Sequence, residues 1–468
     1  MKKRLISLML AAIVLLSCAF AEESQSEEYL LPYIDLYAVP LGDNAIFEIP
    51  NEWGYQTSDA ADVPPMTSLL TDQNQMVMAM KLPADWEATD ASDALGIQSF
   101  IVEGTALMLG LTTPQSTRLQ EMTINDMPAV LVEMNGQGFD ILWIGDSGDL
   151  YFFLFPNDDD ALVQQMISVA QSLCVFHRKG EQVNPASDFA YTADGGEVTI
   201  TDYIGTSEHV LIPDAIDGLP VTALGHRAFY EKTVTTVVVP DSVTEIGAAC
   251  FSGDNYLVSL TLPDELAELP PTSLESCFRL MDFNLPKELK KISGSALQYN
   301  YYLTHLTLPS SLTEIEQLNF IGLYGLQSLT LAEDNAAFKL DETNGLLMTA
   351  DGTRLLHCFS DISPAEEIIL PEGVKIVDPF AFHYDYDVKR IVLPEGVETI
   401  GAMAFAMCPN LTEIVIPASV TDIGVMDGLE GRTGIISYKS NVIVTPEGCP
   451  AWNWAVETGA TVKSPEEN

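Results

Sequence analysis

Apolar residues recur through the C-terminal two-thirds of the chain with a period of about 23 residues, the length of a small stacking repeat, and a proline marks most units. They lie three, six, eleven and seventeen residues after each proline. Each unit ends in an alternating run such as Leu260-Thr261-Leu262, which predicts one short β-strand per unit. The markers are Pro213, Pro240, Pro263, Pro286, Pro309, Pro371, Pro394 and Pro417, with Ala332 in place of one proline.

A single unit of this kind is too small to bury its own apolar face. Stacked units place their strands about 4.8 Å apart and join their inward residues into one core. The repeat therefore predicts a mostly β solenoid of roughly ten rungs. Its outward column, two residues before each marker, is mostly β-branched, as suits a solvated sheet face. This column consists of Val238, Thr261, Asn284, Thr307, Thr330, Val392 and Val415.

The repeat resembles the BspA-type leucine-rich repeat of bacterial surface proteins. The pattern Ile-Pro-x-x-Val-Thr-x-Ile-Gly-x-x-Ala-Phe-x-x-Cys-x-x-Leu is followed almost throughout by Pro394–Leu411. The resemblance covers residues 188–463 and implies a β-hairpin insertion at 335–363 and a closing repeat with a short helix over Ala451–Val456. It also implies attachment to proteins of a host or of neighbouring cells.

Two units depart from this pattern, and we expect local irregularity in both. Leu274 and Leu297 stand where the pattern has phenylalanine. Pro270-Pro271 and Ser293–Ser295 replace the usual Gly-x-x-Ala.

Residues 30–178 lack the repeat and predict a compact α+β domain with an antiparallel sheet. Strands are expected over 45–50, 75–82, 129–134, 139–145 and 150–156, and helices over 92–111 and 158–173. The strand order and the opening Phe47-x-Ile49-Pro50-x-x-Trp53 resemble PsbP-like domains. Residues 179–187 form the predicted linker, and 464–468 a tail.

Residues 1–21 read as an export signal, with Lys2, Lys3 and Arg4 before an apolar run and Ala19-Phe20-Ala21 as the cleavage site. A second interpretation stays open. Leu15-Leu16-Ser17-Cys18 resembles a lipoprotein box, in which Cys18 would be lipidated. The chain is therefore expected to be secreted or at the cell surface, with no further transmembrane segment.

The net charge is −46, from 21 basic and 67 acidic residues. Such a chain repels nucleic acid and anionic lipid, so a partner should be cationic or neutral. The cysteines after the signal are scattered without close pairs; export permits disulfides, but apolar repeat positions favour buried thiols.

No catalytic, nucleotide-binding or metal-binding motif is present in the sequence, so we expect a non-enzyme without a cofactor or metal. The six histidines show no metal-ligand spacing. The acidic residues are too numerous for any one pair to indicate glycosidase chemistry.

Tyrosines cluster in the loop that follows the phenylalanine position of the repeat, and we single them out as a candidate binding edge. The alternative is that they pack between neighbouring rungs. The candidates are Tyr299, Tyr301, Tyr302, Tyr384 and Tyr386, with Tyr256 and Tyr324 near the same offset.

Three functions remain open at this point. The repeats favour a non-catalytic protein that binds or adheres to an extracellular protein or glycan. An extracellular hydrolase would have its site in residues 30–178. A structural component of the cell envelope would use the repeats as a spacer.

Overall fold

The chain divides into two compact units, Met1–Gln182 and Val183–Asn468. No helix in the described part of the chain is long and apolar enough to span a bilayer. The computed structural model describes residues 36–40, 45–50, 54–58, 66–70, 76–82, 118–124, 127–133, 139–145, 150–156, 160–171, 173–175, 183–359, 365–383, 385, 387–425, 435–436 and 441–465.

The described elements of the first unit form two antiparallel sheets. One has the order β1-β2-β10 and the other β3-β4-β5-β9-β8-β7-β6. The elements are β1 Leu36–Pro40, β2 Ala45–Pro50, β3 Gly54–Ser58, β4 Met66–Leu70, β5 Met76–Leu82, β6 Arg118–Ile124, β7 Met127–Glu133, β8 Phe139–Gly145, β9 Leu150–Pro156, helix α1 Asp160–Gln171, and β10 Cys174–Val175.

Alternate residues of these strands supply the core of the first unit. Phe47 and Phe153 meet edge to face with ring centroids 5.3 Å apart, and Leu162 and Met166 of α1 join the same core. The predicted helix over 92–111 lies outside the described residues, so the α+β class of this unit stays a prediction.

The second unit is a mostly β solenoid of about eleven turns, as the repeat predicts. A 3₁₀ turn, Ala186–Asp188, precedes its first hairpin. Its first elements are β11 Phe189–Asp194, β12 Glu197–Tyr203, β13 His209–Leu211, β14 Ala215–Ile216, β15 Leu219–Leu224, β16 Thr236–Val238, β17 Glu245–Ile246, β18 Ser259–Thr261, β19 Glu268–Leu269, β20 Asp282–Phe283, β21 Lys291–Ile292, β22 His305–Leu308, β23 Glu314–Ile315 and β24 Ser328–Leu331.

The hairpin and the later rungs complete the solenoid. The helix that the sequence predicts near the end is present as α2. The elements are β25 Phe338–Asp341, β26 Leu346–Thr349, β27 Arg354–Cys358, β28 Glu367–Ile369, β29 Ile376–Val377, β30 Arg390–Val392, β31 Thr399–Gly401, β32 Glu413–Val415, β33 Asp422–Val425, β34 Val442–Val444, helix α2 Pro450–Thr458 and β35 Thr461–Lys463.

Strands that end successive units pair in parallel with the register of the repeat. Thr236 is opposite Ser259, which is opposite Asp282, so each step along the sheet is one repeat of the sequence. Val237 and Leu260, the central residues of their strands, are buried. One period of the sequence thus forms one rung, and residues at the same offset from their markers lie above one another.

Most units also contain a second strand, of two to four residues, which the sequence analysis missed. This strand lies five and six residues after the marker, as in Lys291–Ile292 and Glu314–Ile315, and pairs in parallel with its neighbours. Its second residue is the buried isoleucine, leucine or valine of the repeat. Two residues are too few to show alternation, so the pattern indicated an apolar position but no strand.

The sheet formed by these second strands is interrupted at the unit that starts at Pro263, one of the two units that depart from the repeat pattern. Strand β17 pairs with β15, whereas β19 pairs with β21 and belongs to another sheet. In neighbouring units the residue seven after the marker donates its N–H to the previous rung, as Gly247 does to Leu224 at 2.7 Å and Ser293 to Leu269 at 2.9 Å. Pro270 occupies this position and has no N–H to donate. The predicted irregularity is therefore present here, with a backbone cause.

The inserted strands separate two apolar cores within the solenoid. Strands β25, β26 and β27 pair in antiparallel order, and β27 continues in parallel to β29. Alternate residues point to opposite sides: Leu347 and Leu356 belong to one core, and Leu346 and Leu355 to the other. The insertion is thus a layer of the solenoid and not a surface loop.

An ion pair links this layer to the following rung. Arg354 Nε and Nη2 donate to the two carboxylate oxygens of Asp378 at 2.7 and 2.8 Å. Asp378 is buried, so losing the arginine would leave its charge in a poorly solvated position.

We expect Arg354→Ala to lower the free energy of unfolding by about 2 kcal/mol, because the guanidinium is partly exposed and the full cost of an unpaired buried charge is not reached. Lys375→Ala is the matched control, since Lys375 and Glu398 lie 3.4 Å apart with both side chains more than half exposed. Urea denaturation should show a change within about 0.5 kcal/mol for the control. Equal losses of stability in Arg354→Ala and Lys375→Ala would contradict a stabilising role for the Arg354–Asp378 ion pair.

The cysteines of the solenoid are thiols, as their apolar positions predict. Cys250, Cys277, Cys358 and Cys408 are buried, and Cys449 is partly exposed. Cys449 caps α2, where its sulfur accepts the N–H of Trp452.

Candidate functional site

Aromatic side chains line the loop that follows the second strand in four successive rungs, from the unit at Pro240 to the unit at Pro309. Most are partly buried, and Tyr256 is 52% exposed. We call this surface the aromatic edge; it consists of Tyr256, Phe278, Tyr299, Tyr301, Tyr302 and Tyr324.

Three of these rings form a continuous stack across three rungs. The Phe278 and Tyr301 centroids are 4.8 Å apart at an interplanar angle of 6°, and those of Tyr301 and Tyr324 are 5.5 Å apart at 11°. Tyr299 meets Tyr301 edge to face at 6.2 Å. The spacing is close to the rung height, because the three stacked residues share one offset in the repeat.

Two glycines of the next rung make room for these tyrosines. A Cβ at Gly322, whose φ is +78°, would lie 2.6 Å from Tyr299 Cδ1. A Cβ at Gly325 would lie 2.5 Å from the Tyr301 carbonyl oxygen. Larger residues at these positions would push the rungs apart, so the close stack depends on the unit that follows it.

A cation extends the edge towards the N-terminal rungs. The Arg279 guanidinium carbon lies 5.7 Å from the centroid of the Tyr256 ring, within the range of a cation–π interaction. The edge thus combines rings, hydroxyls and one positive charge.

The structure brings together Tyr299, Tyr301 and Tyr302 of the predicted edge. Tyr301 packs between rungs, which is the alternative stated for these residues, yet it keeps a partly exposed position. Their role in binding stays a prediction. Tyr384, Tyr386 and Cys18 lie outside the described residues.

Phe278 and Arg279 were missed by the sequence analysis. Phe278 has the same offset in the repeat as Tyr301 and Tyr324, and this shared offset is the sequence signal that identifies it.

A small cleft lies beside the inserted layer. Its ionisable side chains already have partners: Glu316 pairs with Lys291 at 2.5 Å, and Asp378 with Arg354. Burial, followed by the nearby His383, lowers the pKa of His357 to about 3, although a hydrogen bond with the Phe380 backbone opposes the shift. His357 packs against Phe320 and Phe359 and is neutral at physiological pH.

His357 should make the solenoid sensitive to acid. Because its pKa is lower when folded than the ordinary 6.5, protons bind the unfolded chain more tightly, and stability falls as the pH drops from about 6.5 towards 3. We expect His357→Gln, which keeps a donor, to move the acid-unfolding midpoint down by about half a pH unit or more.

His305→Gln serves as the control, since His305 is exposed on the outer strand. Circular dichroism across pH 7 to 3, within the window set by these pKa values, measures both variants. An unchanged midpoint for His357→Gln would contradict the prediction.

Within the described ranges, no three His, Cys, Asp or Glu side chains form a group that could hold a metal ion.

Residues 222–341 and 356–426 match the family model of the BspA type leucine rich repeat region, in six copies. This part of the chain consists of BspA-type leucine-rich repeats, as the sequence pattern predicts. No curated protein matches the chain significantly.

Solved structures of bacterial leucine-rich repeat proteins resemble the chain. One from Eubacterium ventriosum is 22% identical, with 57% of this chain and 72% of that chain covered and a TM-score of 0.43. A leucine rich cell surface protein from Faecalibacterium prausnitzii is 19% identical, with 61% and 96% covered and a TM-score of 0.37. Cyanobacterial PsbP from Synechocystis is 11% identical, with 33% and 100% covered and a TM-score of 0.26.

Proposed function

We propose that this protein is a secreted or surface-exposed, non-catalytic binding protein that holds an extracellular protein or glycan on the aromatic edge of its repeats. The observation that carries this proposal is the stack of Phe278, Tyr301 and Tyr324. Export rests on the signal-like residues 1–21.

A stacked edge is well suited to binding because its side chains are already ordered. Association normally loses the rotamer freedom of the contacting side chains, and that loss is small when neighbouring rungs hold the rings. Tyrosine adds a hydroxyl to a large apolar surface, which is why it is common where proteins bind one another.

The orientation of the rings favours a protein over a glycan as the ligand. Sugars pack against the open face of an aromatic ring, but the faces of Tyr301 are taken up by Phe278 and Tyr324. Ring edges and hydroxyls remain for the partner, and they match peptide groups and apolar side chains. The net charge of −46 favours a neutral or basic partner.

A screen of the purified protein against arrayed extracellular proteins and glycans tests the proposal. We expect a saturable protein ligand whose affinity falls at least about tenfold in Tyr301→Ala/Tyr302→Ala, because contacts at the centre of an interface carry most of the binding energy. Titration by calorimetry or surface plasmon resonance measures the change.

Tyr301→Phe keeps the stacked ring and separates loss of the ring from loss of the hydroxyl. Tyr191→Ala removes a partly buried tyrosine on β11, away from the edge, and should leave affinity unchanged. Ligands that bind the alanine double variant as tightly as the wild type would rule out the aromatic edge as their site.

A further inference from the structure

One buried column of the solenoid supplies hydrogen-bond donors from rung to rung. The column is the position that the repeat pattern gives to cysteine. Cys277 Sγ donates to the Phe251 carbonyl at 3.1 Å, and Cys408 Sγ to that of Phe382 at 2.8 Å. Asn300 Nδ2 donates to the Leu274 carbonyl at 3.1 Å. In each case a neutral side chain gives a hydrogen to the preceding rung.

Asp254 occupies the same column, where an ionised carboxylate could only accept. Its side chain is fully buried. One oxygen accepts the N–H of Tyr256 at 3.3 Å, within the turn that Asp254 begins. The other, Oδ2, is buried without a hydrogen-bond partner among the described residues. A proton on Oδ2 would make Asp254 a donor like Cys277, Asn300 and Cys408 of the same column.

We propose that Asp254 is protonated in the folded protein near neutral pH and acts as a proton-dependent lock on the turn Gly253–Leu257. This turn carries Tyr256, the most exposed ring of the aromatic edge. When the proton leaves, a charge appears inside the solenoid, and the turn opens to hydrate it. The lock is a property of the turn itself and does not depend on whether the edge binds a partner.

The surroundings of Asp254 support this assignment. Burial raises its pKa to about 8, against the opposing effect of hydrogen bonds from the Tyr256 and Leu257 backbone. Two thiols belong to the same part of the core: burial raises the pKa of Cys250 to about 12 and that of Cys277 well above its usual value. Two glutamates of the adjoining rungs, Glu231 and Glu275, flank the turn at Gly253, and burial raises the pKa of Glu275. Both thiols stay neutral between pH 4 and 8, and the variant Asp254→Asn separates the titration of Asp254 from that of Glu275.

The direction of the pH effect follows from these values. The folded pKa is raised above the ordinary 3.8, so the closed turn binds the proton more tightly than the open turn. The stabilisation is complete at about pH 4 and is lost as the pH rises through about 8. Across this range the opening equilibrium should increase about tenfold per pH unit.

A second aspartate occupies this column in the second core, but there both carboxylate oxygens have partners, since Oδ2 accepts the thiol of Cys358 at 3.9 Å. Asp385 occupies the cysteine position of the unit that starts at Pro371, is buried, and accepts the N–H groups of Asp387 and Val388 at 3.1 and 3.0 Å. The next member of its column, one repeat further on, is again a cysteine, Cys408.

Hydrogen exchange of the full chain, read by mass spectrometry on peptides and corrected for intrinsic exchange, tests the lock. We expect protection of the Gly253–Leu257 turn to fall about tenfold per pH unit between pH 5 and 8. The equivalent turn that begins at Asn300 is the internal control, because its column residue does not titrate. Its protection should not change with pH.

Asp254→Asn supplies the second arm, since asparagine is already present in this column at Asn300. In this variant the turn should be protected equally at every pH and more strongly than the wild type at pH 8. A flat profile in the wild type would overturn the proposal, and so would a variant that keeps the wild-type slope.

Discussion

Replacing Gly401 by alanine is expected to lower the free energy of unfolding of the solenoid by about 3 kcal/mol, the upper range for a side chain forced into a packed interior. A Cβ at this position would lie 2.2 Å from the Pro379 nitrogen and 2.6 Å from the Asp378 carbonyl carbon. Both atoms belong to the backbone of the preceding rung and cannot rotate away. Relief would separate β29 from β31, whose pairs include Val377 with Ile400.

Gly294→Ala is the matched control for this prediction. A Cβ there would have Glu316 Oε2 as its nearest neighbour, at 3.6 Å, which is an ordinary contact. Replacing such a glycine usually has little effect, or stabilises slightly by restricting the unfolded chain. Urea unfolding, followed by circular dichroism, should show a much lower midpoint for Gly401→Ala alone. Similar midpoints for the two variants would contradict the rung-contact explanation.

The solenoid could be predicted from the sequence because one physical requirement repeats in every unit. Each rung must present apolar residues at the same offsets to share a core with its neighbours. Leu260, Ile391 and Ile414 are therefore independent examples of the same buried position. Gly401 and Gly247 both occupy the glycine position of the Ile-Gly pair in the repeat pattern. The pattern did not show that this glycine allows backbone contact between rungs, because a contact distance is not a sequence property.

The rest of the fold depends on interactions that one sequence cannot show. The sequence predicts only some irregularity at Pro270. Which hydrogen bond the proline removes depends on the pairing of the strands, and that pairing is known only from the structure. Equal offsets place Phe278, Tyr301 and Tyr324 in one column, and the structure adds that their rings stack. What the edge binds depends on a second molecule. The sequence could therefore predict where the candidate site lies but not which molecule it binds.

Asn300→Asp is expected to be about as destabilising as any single change in the solenoid, at about 3–5 kcal/mol near neutral pH. Asn300 is fully buried, and its Nδ2 donates to the carbonyls of Leu274 and Leu297 at 3.1 and 2.7 Å. A carboxylate would lose both bonds and place its charge beside two carbonyl oxygens, and a carboxyl that keeps donating must hold a proton far above the ordinary pKa of aspartate, so either state destabilises the fold near neutral pH. The loss should shrink at acid pH, where a protonated carboxyl can again donate.

Asn300→Cys tests whether the loss comes from charge or from the change of side chain. Cysteine occupies the same column at Cys277 and Cys408, where the thiol donates to the preceding rung. We therefore expect this variant to lose about 1 kcal/mol, the difference between a strong and a weak neutral donor. Urea unfolding at pH 5 and pH 8 measures both variants. If the aspartate and cysteine variants were equally unstable at both pH values, the stability loss at this column would come from packing. The requirement for an uncharged donor would then be disproved.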